Sequence, residues 1–149
     1  MLLVEETLKM IIAVIAIGFL IYFLVSLYFA KVQGNELNQA NADVNYLKSV
    51  INGRGENATL NNPVGWNVFS FVQGDKPNAC AGENCLCVCD RLIFNFDVPI
   101  YGSKDERQFD ECNENGGCVA VKDLKSFEPI EIEKFTEINF NYENGVSLK

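Results

Sequence analysis

The stretch MIIAVIAIGFLIYFLVSLYFA, residues Met10 to Ala30, decides the fold of this chain. It carries no charge, and it is long enough to cross a bilayer core of about 30 Å as an α-helix. The residues before it, MLLVEETLK, are acidic rather than basic, and Tyr28-Phe29-Ala30-Lys31 is a poor cleavage site for a signal peptidase. We therefore expect this apolar segment to remain in the mature protein.

The helical pattern continues beyond the apolar segment. Apolar residues recur every three or four positions, at Leu37, Ala40, Val44, Leu47 and Ile51. This spacing is typical of one helix face, and Gly53 and Gly55 then supply stop signals. We predict a helical region over residues 1–52, hydrophobic over 10–30 and amphipathic over 31–52, in which Gly34 favours a kink or a non-helical turn.

Residues 53–149 have the pattern of a small β-rich domain. Aromatic and β-branched residues fill Trp66–Val72, and apolar and polar residues alternate over Ile130–Glu133 and Ile138–Tyr142. Cys85–Phe96 is predicted to be a second strand-rich region, and a further strand is predicted over Cys118–Val121. Asn144-Gly145 favours a tight hairpin turn. The predicted fold class is α+β: a long N-terminal helix carrying a small antiparallel β domain, either a sheet or a sandwich, stapled by disulfides.

Six cysteines lie outside the apolar segment, at Cys80, Cys85, Cys87, Cys89, Cys112 and Cys118. An even number in a small domain indicates a disulfide framework and an oxidising compartment. In a strand, the alternating Cys85, Cys87 and Cys89 share one face, and their geometry is wrong for pairing with each other. We expect each to pair with one of the other three cysteines. Cys80–Cys85 is the easiest local closure, which leaves Cys112 and Cys118 for Cys87 and Cys89.

A thiolate metal or iron–sulfur site is the alternative use of these cysteines. Such sites commonly have C-x2-C spacing, often with histidine, and the sequence contains neither. We predict no metal and no cofactor. Without histidine, Ser-His-Asp and Cys-His catalytic arrangements are excluded, and we predict no catalytic residues and no enzymatic activity. The net charge of −8, with no basic stripe, argues against a nucleic-acid partner.

Three further features have a plain structural interpretation. The acidic run Asp105–Glu114 is predicted to be a solvated loop. The overlapping pattern Glu111-x-Asn113-x-Asn115-Gly116 matches a calcium-binding loop only weakly. Asn57-Ala58-Thr59 is a glycosylation sequon in a stretch expected to be exposed. The aromatic residues of the β domain are expected to fill its core rather than line a ligand groove; they are Trp66, Phe69, Phe71, Phe94 and Phe96.

Residues 1–52, with the acidic start LLVEETLK leading into the apolar segment and an amphipathic extension, resemble the type IV pilin-like family, which includes archaeal pilins and flagellar-filament subunits. The resemblance implies that a peptidase removes a basic leader, and that the helix is stored in the membrane before it packs in a filament core. It also implies that an acid near the N-terminus meets the terminal amine of a neighbouring subunit, for which Glu5 is the best match and Glu6 the second. The implied core-helix residues are Ile11, Val14, Ile17, Phe19, Leu20, Phe23, Leu24 and Leu27.

These observations predict a structural subunit of an extracellular surface filament. It would be a homo-oligomer, inserted in the cell membrane before assembly, with the β domain (53–149) on the outside. One alternative is a single-pass membrane-anchored module whose exported domain binds a partner. Another is a membrane-tethered metal or redox protein that uses the six cysteines.

Overall fold

The structure is a computed structural model that describes residues 1–91 and 104–149, with all side chains in these ranges except those of Lys104 and Asp105. The chain divides into two compact units, residues 1–35 and residues 36–149. We call the first the stem unit and the second the head unit. The division lies within the first helix rather than at its end, because residues 36–52 pack with the β-rich part of the chain.

Helix α1 runs from Leu2 to Asn52 and ends at the glycines that the sequence marked as stop signals. Gly34 is helical, so the expectation of a non-helical turn there is wrong. Helical hydrogen bonding on both sides of this position outweighs the weak helix propensity of one glycine. The buried residues of α1 are confined to its second half: Ala40, Asp43, Val44, Leu47 and Ile51. Four of them belong to the apolar stripe that the spacing predicted.

The described part of the head unit contains two antiparallel sheets. The strands are β1 Asn57–Leu60, β2 Trp66–Phe71, β3 Cys85–Asp90, β4 Gly117–Ala120, β5 Ile130–Glu131, β6 Thr136–Asn141 and β7 Ser147–Leu148. One sheet has the order β1-β6-β7 and the other has the order β4-β3-β2-β5. A short 3₁₀ helix, Asn78–Cys80, precedes β3, and helix α2, Lys104–Asn115, precedes β4. The predicted α+β class is confirmed.

The four-stranded sheet separates two buried clusters, because alternate residues of a strand point to opposite faces. On its helix face, Val68, Leu86 and Val88 pack in one cluster with the buried stripe of α1 and with the three-stranded sheet. On its disulfide face, Phe69 and the three cysteines of β3 pack with Cys112 of α2. Helices α1 and α2 therefore pack against opposite faces of this sheet.

Most strand predictions are confirmed. Strands β2, β3, β4 and β6 match predicted strands to within about two residues, and β6 and β7 form the predicted hairpin. The predicted strand at Ile130–Glu133 is confirmed only over its first two residues. Strand β1 was not predicted. The C-terminal part of the predicted Cys85–Phe96 strand region lies outside the described residues.

The acidic run is helical, so the prediction of a loop over residues 105–114 is wrong. Cys112 and Phe109 lie three positions apart on α2 and both turn toward the disulfide face. Cys112 is fully buried there, and Phe109 makes an edge contact with Phe71 at a centroid distance of 5.9 Å. The tertiary contacts of Phe109 and Cys112 thus stabilise α2 as a helix. The helical pattern was not recognised in the sequence because most residues of this segment are charged or polar. The helical backbone also rules out a calcium loop at Glu111–Asn115.

Strand β4 begins at a point of close backbone approach to α1. A Cβ placed on Gly117 would lie 2.8 Å from the backbone carbonyl of Ala40 and 2.8 Å from the amide nitrogen of Asn41. These backbone atoms belong to a hydrogen-bonded helix and have little freedom to move. The absence of a side chain at Gly117 is therefore what lets β4 lie against the helix.

We predict that Gly117→Ala lowers the free energy of unfolding of the head unit by about 1–3 kcal/mol, because the helix and the strand must separate. The measurement is thermal unfolding of the full-length chain in detergent, followed through the environment of Trp66. Gly34→Ala is the matched control, since apart from the adjoining backbone of α1 itself no described atom lies within 4 Å of the added Cβ, and alanine favours the helix by up to about 1 kcal/mol. Equal stability of the Gly117→Ala variant and the native chain would contradict the close approach.

The buried stripe of α1 also includes a carboxyl group. Asp43 is 7% exposed; its Oδ1 accepts a hydrogen bond of 3.2 Å from Gln39 Nε2, and its Oδ2 has no partner among the described residues. Burial raises the pKa of Asp43, and the hydrogen bond from Gln39 opposes this shift in part. The charged form is therefore less stable in the fold than in the unfolded chain.

Asp43 makes the head unit more stable in acid than at neutral pH, as far as this one group is concerned. At a pH above the pKa of Asp43 in the unfolded chain, the folded chain still binds the proton on this carboxyl group. The contribution of Asp43 to the free energy of unfolding therefore falls as the pH rises through its raised pKa in the folded state. We expect Asp43→Asn to stabilise the head unit at pH 7 by about 1 kcal/mol and to have no such effect near pH 3. Denaturant unfolding at the two pH values tests this. A variant less stable than the native chain at pH 7 would contradict it.

Candidate functional site

The most unusual surface of the described chain is the stem unit. Every residue from Met1 to Ala30 is exposed, including large side chains such as Phe19 at 66% and Leu24 at 64%. The candidate core-helix residues named above all lie in this range. At about 100° per residue they are distributed around the whole circumference of the helix. A helix that is apolar on all sides needs an apolar environment on all sides.

Length and composition admit α1 as a membrane-spanning helix, and none of its most apolar window is buried within the protein. A secretory signal sequence can have the same length and apolar composition. Tyr28 and Phe29 stand at the end of the apolar segment and contact each other edge to face at 5.9 Å. Amphipathic aromatic rings are common where an apolar region meets water.

The acidic start of α1 contains one internal ion pair. Lys9 Nζ lies 2.9 Å from Glu5 Oε1, one helical turn away. The Thr7 hydroxyl donates to the carbonyl oxygens of Leu3 and Val4 at 3.0 and 2.9 Å, so its polarity is satisfied within the helix. Among the described residues, no cation pairs with Glu6. Glu5, the better match to the family pattern, therefore already has a cationic partner, whereas Glu6 has none in the described part of the chain.

All six cysteines form disulfides: Cys80–Cys85, Cys87–Cys118 and Cys89–Cys112. The Cα atoms of the three pairs are 5.7, 4.2 and 5.1 Å apart, within or close to the usual range. The predicted rule that each cysteine of β3 pairs outside the strand is confirmed, and so is the local Cys80–Cys85 bridge. The strand register explains the bridge with the largest sequence separation, because Cys87 lies directly opposite Cys118.

The disulfides bring several sulfur atoms together. The Sγ atoms of Cys85, Cys87 and Cys118 all lie within 4.8 Å of one another, because two bridges are neighbours on one face of the sheet. Metal coordination by cysteine requires thiolates, and sulfur atoms joined in disulfides do not provide them. The disulfide-bonded sulfur atoms instead form part of the apolar packing on the disulfide face.

The remaining candidates are divided between core and surface. Trp66 and Phe69 are buried, as the core-filling interpretation expects, while Phe94 and Phe96 lie outside the described residues. Phe71 is half-buried and lines a cavity of about 190 Å³ together with Gln73, Asp75, Glu106 and Phe109. Asn57 is exposed on the edge strand β1, and its Nδ2 donates to Glu137 Oε1 at 3.1 Å. Its glycosylation stays a prediction.

Sequence reasoning did not find a groove of about 380 Å³ that is lined by Arg54, Lys122, Asp123, Tyr142, Asn144, Gly145 and Val146. Its residues come from three distant parts of the chain, and no motif connects them. Burial raises the pKa of Tyr142, an effect that the charge of Arg54 partly opposes. Among the residues that line the groove, Asn144-Gly145 form the one motif recognised in the sequence, and this motif favours a hairpin turn.

Comparison with known proteins finds no matching family model, no similar curated protein and no similar solved structure.

We predict that the disulfides stabilise the head unit according to the loops they close. Replacing Cys87 and Cys118 together by alanine removes a bridge of sequence separation 31 and should lower stability by about 4 kcal/mol on a chain-entropy estimate. The matched control replaces Cys80 and Cys85, with separation 5, and should lower it by about 2 kcal/mol. Denaturant unfolding measures both. Six reactive thiols with bound metal in the native protein would instead support the metal alternative.

Proposed function

We propose that this protein is a structural subunit of an extracellular surface filament that polymerises through its stem unit. The observation that carries the proposal is the distribution of exposed apolar side chains around the whole stem helix. Lipid covers such a surface in a monomer, and a bundle of identical helices covers it in a polymer. The N-terminal resemblance to type IV pilin-like subunits favours the bundle.

The second half of α1 supports this assignment by fixing the helix to its own head unit. Its apolar stripe is already buried in the head core. These residues of the amphipathic half therefore have a partner in their own head unit. Contacts with other copies are then left to the stem unit, which has apolar surface available, and to the exterior of the head unit.

The acidic start supports subunit contact through charge. A carboxylate in an apolar environment is costly unless a cation neutralises it. Lys9 provides one for Glu5, which makes Glu6 the better candidate for a neighbour's terminal amine. A head unit with three disulfides suits an oxidising exterior. In the proposed order of events, the stem unit is held in the membrane and then transferred to the growing filament.

The experiment compares the native chain with a variant in which the residues of Met10–Ala30 are kept but their order is scrambled. Hydropathy and length are unchanged, so insertion into the membrane should persist, while the packing surface is lost. Material sheared from cells is imaged by electron microscopy and its subunits are identified by mass spectrometry. We expect filaments containing the native chain and at least a tenfold loss with the scrambled segment.

The alternative of a monomeric anchored module predicts a different outcome. The native chain would be recovered only from detergent-extracted membranes as single molecules, and the scrambled variant would behave like it. That result would overturn the proposed function.

A further inference from the structure

The groove beside Arg54 and Lys122, which we call the basic groove, is a concentration of positive charge in an acidic protein. Within the described ranges, neither Arg54 nor Lys122 makes an ion pair. Lys122 also lines an adjoining depression of about 230 Å³ with Lys48. Asp123 and Glu83 are the carboxylates that line these two depressions. Three cations therefore face two anions in a chain whose net charge is −8.

The walls of the basic groove are held in place by hydrogen bonds. The Tyr142 hydroxyl donates to the Gly55 carbonyl oxygen at 2.7 Å, which fixes the ring next to the residue that follows Arg54. The Val146 amide donates to the Asp123 carbonyl oxygen at 2.8 Å, and the Lys125 amide donates to the Val146 carbonyl oxygen at 2.7 Å. The groove is therefore a preformed feature of the head unit.

Two residues that line the basic groove, Gly145 and Asp123, approach each other closely. Gly145 has φ +125°, and a Cβ there would lie 2.8 Å from the Asp123 carbonyl oxygen. Only glycine fits this position without displacing the backbone. The turn therefore packs closely against Asp123 and Lys125.

The complementary charge lies on α2. Asp110 and Glu114 are exposed and lie four residues apart, so they form one stripe along the helix, which we call the acidic stripe. Like charges at this spacing destabilise a helix on its own. A cationic partner along the stripe would convert this repulsion into attraction.

The two charged surfaces lie on opposite sides of the four-stranded sheet. Arg54 follows the end of α1, and Tyr142 packs against the cluster that α1 shares with the helix face. Helix α2 covers the disulfide face. A contact that joins two different surfaces of the same molecule is heterologous, and when it does not close into a ring it propagates into a helical array.

We propose that the basic groove of one copy binds the acidic stripe of the next copy, so that neighbouring head units are joined by ion pairs of Arg54 and Lys122 with Asp110 and Glu114. This inference rests on the proposed function and adds a second contact, between head units, to the packing of the stem units. It predicts that high salt weakens the contact between heads, since exposed ion pairs are screened.

A carbodiimide tests the contact in filaments of the full chain. The reagent activates a carboxylate, which then forms an amide bond with a lysine amine as the urea by-product leaves. We expect covalent dimers and longer ladders on denaturing gels, with Lys122 joined to Asp110 or Glu114 in the dimer band by mass spectrometry. Joining of Lys122 to an acidic polysaccharide, or to other acids of the chain only, would overturn the inference.

Charge reversal provides the matched variants. Arg54→Glu with Lys122→Glu should reduce the filament yield at least tenfold, and adding Asp110→Lys with Glu114→Lys should restore the yield. The milder Arg54→Gln with Lys122→Gln should reduce the yield in the same direction. Lys134→Glu with Lys149→Glu makes the same net charge change at exposed positions outside the groove and should leave the yield within twofold.

The outcomes separate the two proposals. Filaments that form normally with the Arg54→Glu and Lys122→Glu pair, or a loss that the α2 reversal does not restore, would overturn the contact between heads and leave the filament proposal intact. Absence of filaments from the native chain would overturn both.

Discussion

The packing of residues 40–51 of α1 against the helix face of the four-stranded sheet is the interaction on which the rest of the structure depends. It buries four apolar residues of one helix stripe and brings the backbone of β4 against the helix at Gly117. This packing also determines where the two units divide. The second half of α1 belongs to the head unit because its apolar stripe is buried there, whereas the first half has no partner in the described chain. The proposed function rests on that asymmetry, because the apolar first half of α1 needs a cover that the described chain does not supply.

The disulfide face follows from the same sheet. With the helix face occupied by α1, the opposite face is left to Phe69, three cysteines and one edge of α2. Cysteine pairs cover it where a domain of this size has few large apolar residues to spare. The bridges therefore act as core as well as cross-links, which explains why the sulfur atoms of neighbouring bridges lie so close together without forming a thiolate site.

The sequence predicted much of this fold because its strongest patterns are local. The apolar run, the stripe from Leu37 to Ile51, the alternating cysteines and the Asn144-Gly145 turn each carry their structural meaning within a few residues. The failures have a common cause in tertiary contacts. Helix α2 is ordered by Phe109 and Cys112 against a sheet face that composition does not reveal, and β1 is ordered by pairing with a strand about 80 positions away. The basic groove joins residues 54, 122 and 142, so only the folded chain brings its charges together.

The central claim is that copies of this chain cover one another's stem helices. A photoreactive phenylalanine analogue at Phe23, which is 51% exposed, tests it most directly when native surface material is irradiated and separated on a denaturing gel. The account predicts a ladder of covalent multimers in which the analogue is joined to the stem unit of another copy. Adducts to lipid alone, with every chain remaining a monomer, would contradict it.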